Sequence, residues 1–232
     1  MAQPVRLVVT DIEGTTSPIA FVKDVLFPFA EAELRAFLAA RRSDRAVAAL
    51  LAEVASRAPG QAPEDTLRQW MAADEKVTPL KTLQGMIWDA GFRDGRLRGR
   101  LWPDVAAKLR DWHAAGVRLA VFSSGSVAAQ RLLFGFSEAG DLAPLFDGFF
   151  DTTTGPKRDA ASYRAILAAL SAAPADTLFL SDVEAELDAA AEAGLGTCQL
   201  VRAGDGTAPG TRHPIAADFA AVAARFGLPG GA

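Results

Sequence analysis

From residue 104 to residue 201, short apolar runs alternate with stretches of helical length, and this alternation constrains the fold more than any other feature. Residues 104–115 read as a helix that Gly116 ends. Arg118-Leu119-Ala120-Val121-Phe122 reads as a strand, followed by Ser123-Ser124-Gly125-Ser126 and a helix through Leu133. A short strand near Phe149-Phe150 leads to Gly155-Pro156-Lys157 and a helix over 160–170. Thr177-Leu178-Phe179-Leu180 is the next strand, then a helix over 183–193 closed by Gly194, then a last clear strand over 197–201. An earlier run, Arg6-Leu7-Val8-Val9-Thr10, is apolar without alternation, as in a strand covered on both faces. Strands alternating with helices imply βαβ units, and so a doubly wound α/β fold with a mostly parallel sheet.

The stretch 18–100 breaks the pattern. Leu34, Phe37 and Leu38 recur at helical spacing, as do Val47, Leu50, Leu51 and Val54, and Leu67, Trp70 and Met71. Pro63 before Glu64-Asp65 reads as a helix start, with acids at the positive end of the macrodipole. Leu80, Leu83, Ile87 and Trp88 form a further stripe, stopped by Gly91. The expected organisation is a core over 1–17 and 101–232 and an inserted helical cap over 18–100. Residues 202–214 read as a surface loop, 215–226 as a final helix and 229–232 as a fraying tail.

Half of the 232 residues are hydrophobic, enough for a sizeable core. The net charge of −4 and the lack of a basic stretch argue against a nucleic-acid partner. Leu7-Val8-Val9 is too short for the apolar region of a signal peptide, and no run suits a membrane helix. The single cysteine, Cys198, has no internal partner and sits in a strand, so it reads as an inert buried thiol in a reducing compartment. A soluble cytoplasmic protein with no membrane partner is expected.

In open α/β sheets, ligands bind beyond the carboxyl ends of the strands. Here those ends carry Asp11 and Glu13, Ser123 and Ser124, Lys157, and Asp182 with Glu186 four residues on. Such a set suits phosphoryl transfer. A carboxylate such as Asp11 can attack phosphorus. Mg²⁺ accepts one or two carboxylates with phosphate and water. Hydroxyls bind phosphoryl oxygens and a lysine neutralises charge. A second acid must protonate the leaving oxygen and then deprotonate water, and Glu13 is the candidate. Gly14 allows a sharp turn beside it.

In this order, Asp11-Ile12-Glu13-Gly14-Thr15, Ser123, Lys157 and Asp182 resemble the four motifs of the haloacid dehalogenase superfamily, with the helical stretch where many members carry a cap. The second acid is Glu13 rather than the usual Asp. That departure, with Asp11 to Ser17, Ser123 to Gln130, Leu80 to Trp88, Leu101 to Val105 and Leu132 to Gly135, is similar to the enolase-phosphatase (acireductone synthase) family. The resemblance covers nearly the whole chain. It implies Mg²⁺-assisted enolisation of 2,3-diketo-5-methylthiopentyl-1-phosphate, then release of its phosphate through an aspartyl phosphate, in methionine salvage. Asp11 would be nucleophile and metal ligand. Glu13 would give its backbone carbonyl to the metal and its side chain as acid and base, and Asp182 would complete the protein ligands. Ser123 and Ser124 would bind phosphate or substrate oxygens of this small molecule, and Lys157 would anchor its phosphate. A monomer is expected. The enolising base stays open between Glu13 and a cap residue.

Each of these residues has a plainer reading. Asp11, Ser123, Ser124 and Asp182 could be helix caps and Lys157 a solvated turn lysine; position at successive strand ends favours function. Glu186 divides evenly between orienting a metal-bound water and a surface acid. Lys81 and Gln84 are expected on a solvated helix face, Arg202 in a loop, and His113 and His213 in structural roles. Two rivals remain: another capped phosphatase or phosphomutase, and a receiver-like phosphoacceptor, which is short and uncapped.

Overall fold

The computed structural model describes residues 4–73, 75 and 77–231. The chain divides into two compact units, one running to Ile19 and resuming at Arg98, the other spanning Ala20–Leu97. Strand β1 is Leu7–Thr10, buried throughout.

A short helix α1 (Ile19–Phe21) continues through a π-helical segment (Val22–Leu26) into α2 (Phe27–Ala40). Helices α3 (Arg45–Arg57), α4 (Pro63–Ala72) and α5 (Thr78–Arg93) complete the helical unit. Asp44 caps α3, accepting from Ala46 N–H at 2.9 Å, and Pro63 opens α4. Leu34, Val47, Val54, Leu67, Leu83 and Ile87 bury the helical stripes against one another. Trp88 is half-buried and donates its indole N–H to Leu26 O at 2.8 Å. Two expectations fail here. Gly91 does not stop α5, which runs on to Arg93; a Cβ at Gly91 would lie 2.5 Å from the Phe29 ring, so the glycine serves close packing. Gln84 is buried rather than solvated, while Lys81 is exposed.

The other unit continues through α6 (Val105–Ala114), β2 (Arg118–Phe122), α7 (Val127–Gly135), β3 (Gly148–Phe150), α8 (Ala160–Ala169), β4 (Thr177–Ser181), α9 (Glu184–Glu192), β5 (Gly196–Leu200), β6 (Ile215–Ala216) and α10 (Phe219–Phe226). The sheet order is β3-β2-β1-β4-β5-β6, with every neighbouring pair parallel. Val8 stands between Leu119 and Leu178, placing β1 at the centre. This is a doubly wound α/β sheet, reversing direction at β1, where ligand sites form. Val9, Phe122 and Phe179 pack with Tyr163 and Leu187 from α8 and α9, and Trp112 of α6 stacks on Phe219 of α10 at 5.2 Å.

The chain's end departs from expectation. Ile215–Ala216 is a strand paired with Gln199–Leu200, and α10 begins only at Phe219, capped by Asp218. Two residues are too few for periodicity to mark a strand. The tail is tied down as well: Pro229 O accepts from Trp112 Nε1 at 3.2 Å and Gly230 O from Lys108 Nζ at 2.5 Å; Ala232 lies outside the described residues. The Cys198 thiol is fully buried, and burial pushes its pKa up to about 12. His213 bridges Thr197 and Asp188, a structural role. Among the described residues no helix is long and apolar enough to cross a membrane.

Candidate active site

Asp11 follows β1 directly. Its N–H donates to Leu180 O at 2.9 Å, so β1 and β4 stay paired up to the point where both chains turn away. The next turn is wound tightly: Thr15, Thr16 and Ser17 N–H groups all donate to Ile12 O, at 3.2, 2.9 and 2.8 Å. Thr10 and Thr16 hydroxyls donate to Asp11 O. Gly14 sits in this turn at φ 72°, a conformation L side chains disfavour. It also leaves room for a neighbour: a Cβ there would lie 2.5 Å from Asp182 Oδ2. The turn after β1 and the acid after β4 thus pack directly together. The Glu13 side chain is exposed.

Lys157 arrives from the turn between β3 and α8. That turn is held from α8, where Ser162 Oγ donates to Pro156 O and Tyr163 OH to Lys157 O, each at 2.7 Å. The ammonium lies 2.7 Å from Asp11 Oδ1 and 2.6 Å from Glu186 Oε2, with its side chain only 7% exposed. Glu186 Oε2 also accepts from Ser181 Oγ at 2.9 Å, and Ser181 Oγ accepts from Val183 N–H. One buried cation therefore pairs with two acids, Asp11 and Glu186, while the half-buried Asp182 packs on the Asp11 turn and feels the Lys157 charge only weakly. Burial works against the Lys157 charge, but Asp11 and Glu186 outweigh it and raise its pKa. Burial and then Asp11 raise Glu186, against the pull of Lys157. Burial and then Asp11 push Asp182 up to about 7. The cluster holds more negative charge than it can neutralise.

Ser123 ends β2. Its N–H donates to Phe150 O and its buried hydroxyl accepts from Gly125 N–H at 3.2 Å. Gln130, fully buried, donates to Gly125 O at 2.7 Å and Phe150 O at 2.8 Å, fixing this turn against β3. Ser124 is exposed at the turn's crest, and Ser126 caps α7.

A haloacid dehalogenase-like hydrolase model matches residues 5–194. The enolase-phosphatase E1 of Granulibacter bethesdensis is 59% identical over 97% of this chain and 98% of its own length. That of Gluconacetobacter diazotrophicus is 58% identical, covering 96% and 94%. The chain belongs to the enolase-phosphatases, within the haloacid dehalogenase-like hydrolases. The UTR4 protein of Saccharomyces cerevisiae shares the fold at a TM-score of 0.79, with 32% identity over 93% of this chain and 98% of its own.

In this enolase-phosphatase family member, Asp11 and Lys157 are in direct contact and Asp182 packs on the Asp11 turn. Ser123, Ser124 and Glu13 lie at the ends of neighbouring strands. Sequence reasoning left Glu186 evenly divided, and the structure buries it on Lys157; its place one helical turn after Asp182 was the available signal. It missed Ser181, Gln130 and Gln199. Gln199 lies on β5, buried, and donates to Asp182 O at 2.9 Å. For Gln199 the available signal was a lone amide in an otherwise mostly apolar strand. Arg202, expected in a loop, is buried away from this cluster, on Thr15 O and Asp104.

Proposed function

We propose that the chain enolises 2,3-diketo-5-methylthiopentyl-1-phosphate and then releases its phosphate to give the acireductone of methionine salvage. The observation that carries this reading is the buried Lys157–Asp11 contact of 2.7 Å at the sheet's switch point, in a chain 59% identical to an enolase-phosphatase. Asp11 would attack phosphorus and carry the phosphoryl group as an acyl phosphate. Lys157 would offset charge on both nucleophile and phosphoryl oxygens, and Ser123 and Ser124 would hold those oxygens. The exposed Glu13 side chain suits an acid that protonates the leaving oxygen and then deprotonates water, since solvent can reset it. The helical unit would act as a cap over substrate, and the same proposal takes the protein as a cytoplasmic monomer.

The donor set fits Mg²⁺. Asp11, Asp182 and the Glu13 carbonyl offer only oxygen, the choice of a hard cation. Mg²⁺ commonly keeps phosphate and water among its ligands, so one or two carboxylates from the protein suffice. Bound there, Mg²⁺ would supply the missing positive charge and polarise the substrate carbonyl.

Assay of the diketone phosphate beside sugar phosphates and phosphoglycolate tests the assignment. Release from the diketone should exceed the others by about a hundredfold or more in kcat/KM, roughly 3 kcal/mol of discrimination. Preference for a sugar phosphate would favour the phosphomutase-like rival.

The metal reading carries a pH signature. Asp182 titrates near 7 folded against roughly 4 unfolded, so the metal-free folded chain holds the extra proton between those values. This contribution to stability is full below about pH 4 and is lost as pH rises through 7. A cation beside the carboxylates removes that penalty. Millimolar Mg²⁺ should raise Tm by about 4 °C near pH 8, roughly 1–2 kcal/mol in a chain this size, and by far less near pH 5. Equal shifts in melts at both pH values would count against Asp182 as a ligand.

A further inference from the structure

We propose that Arg202 is a positioning residue that sets the separation of Asp11 and Asp182, acting through the Thr15 carbonyl. The inference rests on the reading of Asp11 and Asp182 as the metal-binding carboxylates.

The Arg202 side chain is 4% exposed and fully committed. Nε and Nη2 donate to Thr15 O at 3.1 and 2.9 Å. Nη1 and Nη2 grip the two Asp104 oxygens at 2.9 and 3.0 Å, and Nη1 also donates to Ala217 O at 3.3 Å. The guanidinium lies over the Trp102 and Phe219 rings, 5.3 and 5.6 Å from their centroids. Asp104 Oδ2 accepts in turn from Phe219 N–H at 2.8 Å. No donor is left for a substrate, so Arg202 can act only by holding other groups.

What it holds is the far side of the turn that begins at Asp11. Thr15 O is fixed by Arg202, and Thr16 O accepts from Trp102 N–H at 3.0 Å. The segment after Arg202 adds a second tie, where the Asp205 carboxylate accepts from Ile19 N–H at 3.1 Å. From β5, which ends two residues before Arg202, Gln199 reaches the other acid-bearing loop, donating to Asp182 O at 2.9 Å and to Ala208 O at 3.2 Å, and accepting from Gly210 N–H at 2.7 Å. Strand β5 and the loop after it thus grasp both turns. Asp11 is held from beyond the turn by Arg202, and Asp182 from its own carbonyl by Gln199. Two mutually repelling carboxylates need such bracing to stay poised for one cation, because nothing in their own charge draws them together. A planar fork is required for the Arg202 task; lysine cannot span Thr15 O and both Asp104 oxygens at once.

The test uses the full-length protein and Mn²⁺ alone, with the free-ion electron paramagnetic resonance signal reporting binding without substrate. Arg202→Met and Arg202→Lys should each weaken Mn²⁺ binding by about 10–100-fold, the scale of losing a supporting partner behind a metal ligand. Gln199→Met, which removes the other brace without removing a charge, should weaken it in the same direction. Arg118→Met is the structural control. It breaks a smaller and more exposed set of arginine contacts, to Asp147 and Leu170 O, at the opposite end of the sheet. It should lower Tm and leave Mn²⁺ binding unchanged. Unchanged binding in folded Arg202→Lys and Gln199→Met, with Asp182→Asn abolishing it, would overturn the positioning role alone. If Asp182→Asn also binds Mn²⁺ like the parent, the metal reading is wrong and the proposal falls with it.

Discussion

Asp11→Asn is expected to lower phosphate release by about four orders of magnitude or more, the scale on which removing the nucleophile of a covalent hydrolase acts. The amide keeps the shape of the carboxylate but loses the charge with which the proposed nucleophile would attack phosphorus. The fold should survive, because the backbone does the structural work here. Asp11 N–H pairs with Leu180 O, and its carbonyl accepts from Thr10 and Thr16. The side chain's partner is Lys157, which keeps Glu186 at 2.6 Å when Asp11 is neutral. Stability is therefore expected to hold or rise without metal. The Asp11 charge helps to raise both Asp182 and Glu186, after burial, and removing it relaxes both. A stabilising loss of function is the mark of a site whose charges are arranged for chemistry rather than for folding. Phosphate release and a metal-free thermal melt on the same preparation check both halves. Release within tenfold of the parent would end the nucleophile assignment, and a large drop in Tm would show that the carboxylate has a folding role.

That pattern also explains which parts of the molecule were legible in the sequence. The strands that carry Asp11, Ser123 and Asp182 are apolar and followed by polar turns, so hydrophobic pattern alone located them to within a residue or so. The α4 start was equally plain from Pro63, whereas the Asp44 cap of α3 shows only in the structure. What pattern does not carry is pairing between distant segments. Arg202 and Thr15 are 187 residues apart, and no local rule joins a loop arginine to a carbonyl on another strand's turn. Glu186 stayed divided between a metal-site acid and a surface acid because its partner, Lys157, lies on a different turn. Gln84 and Gly91 failed for the same reason: their surroundings are set by neighbouring helices, not by their own. Strand β6 is too short to show a period at all. Local chemistry was readable where the chain delivers it at a strand end, and hidden where packing assembles it.

Lys157→Met separates these two kinds of contribution at one residue. Phosphate release should fall by about a thousandfold, in line with losing a charged group that stabilises a transferring phosphoryl. Unlike Asp11→Asn, this change should also destabilise the metal-free chain, by about 3–5 kcal/mol, the cost of leaving buried charge without its partner. The reason lies in the geometry. Lys157 is the cation that Asp11 and Glu186 share at 2.7 and 2.6 Å, and methionine fills its volume without answering either charge. Glu186 is already raised by burial and by Asp11, with Lys157 opposing the rise; removing the lysine leaves both upward causes in place. The folded variant then binds protons that its unfolded chain releases, so its stability should fall further as pH rises above the ordinary carboxylate range. Arginine should restore little, since its broader fork does not fit a slot built around one point charge between two carboxylates. Melts across pH with and without Mg²⁺, beside steady-state phosphate release, give the answer. A variant that loses activity but keeps the parent's metal-free stability at every pH would mean that the two acids do not depend on Lys157. The site would then be held by its backbone turns alone.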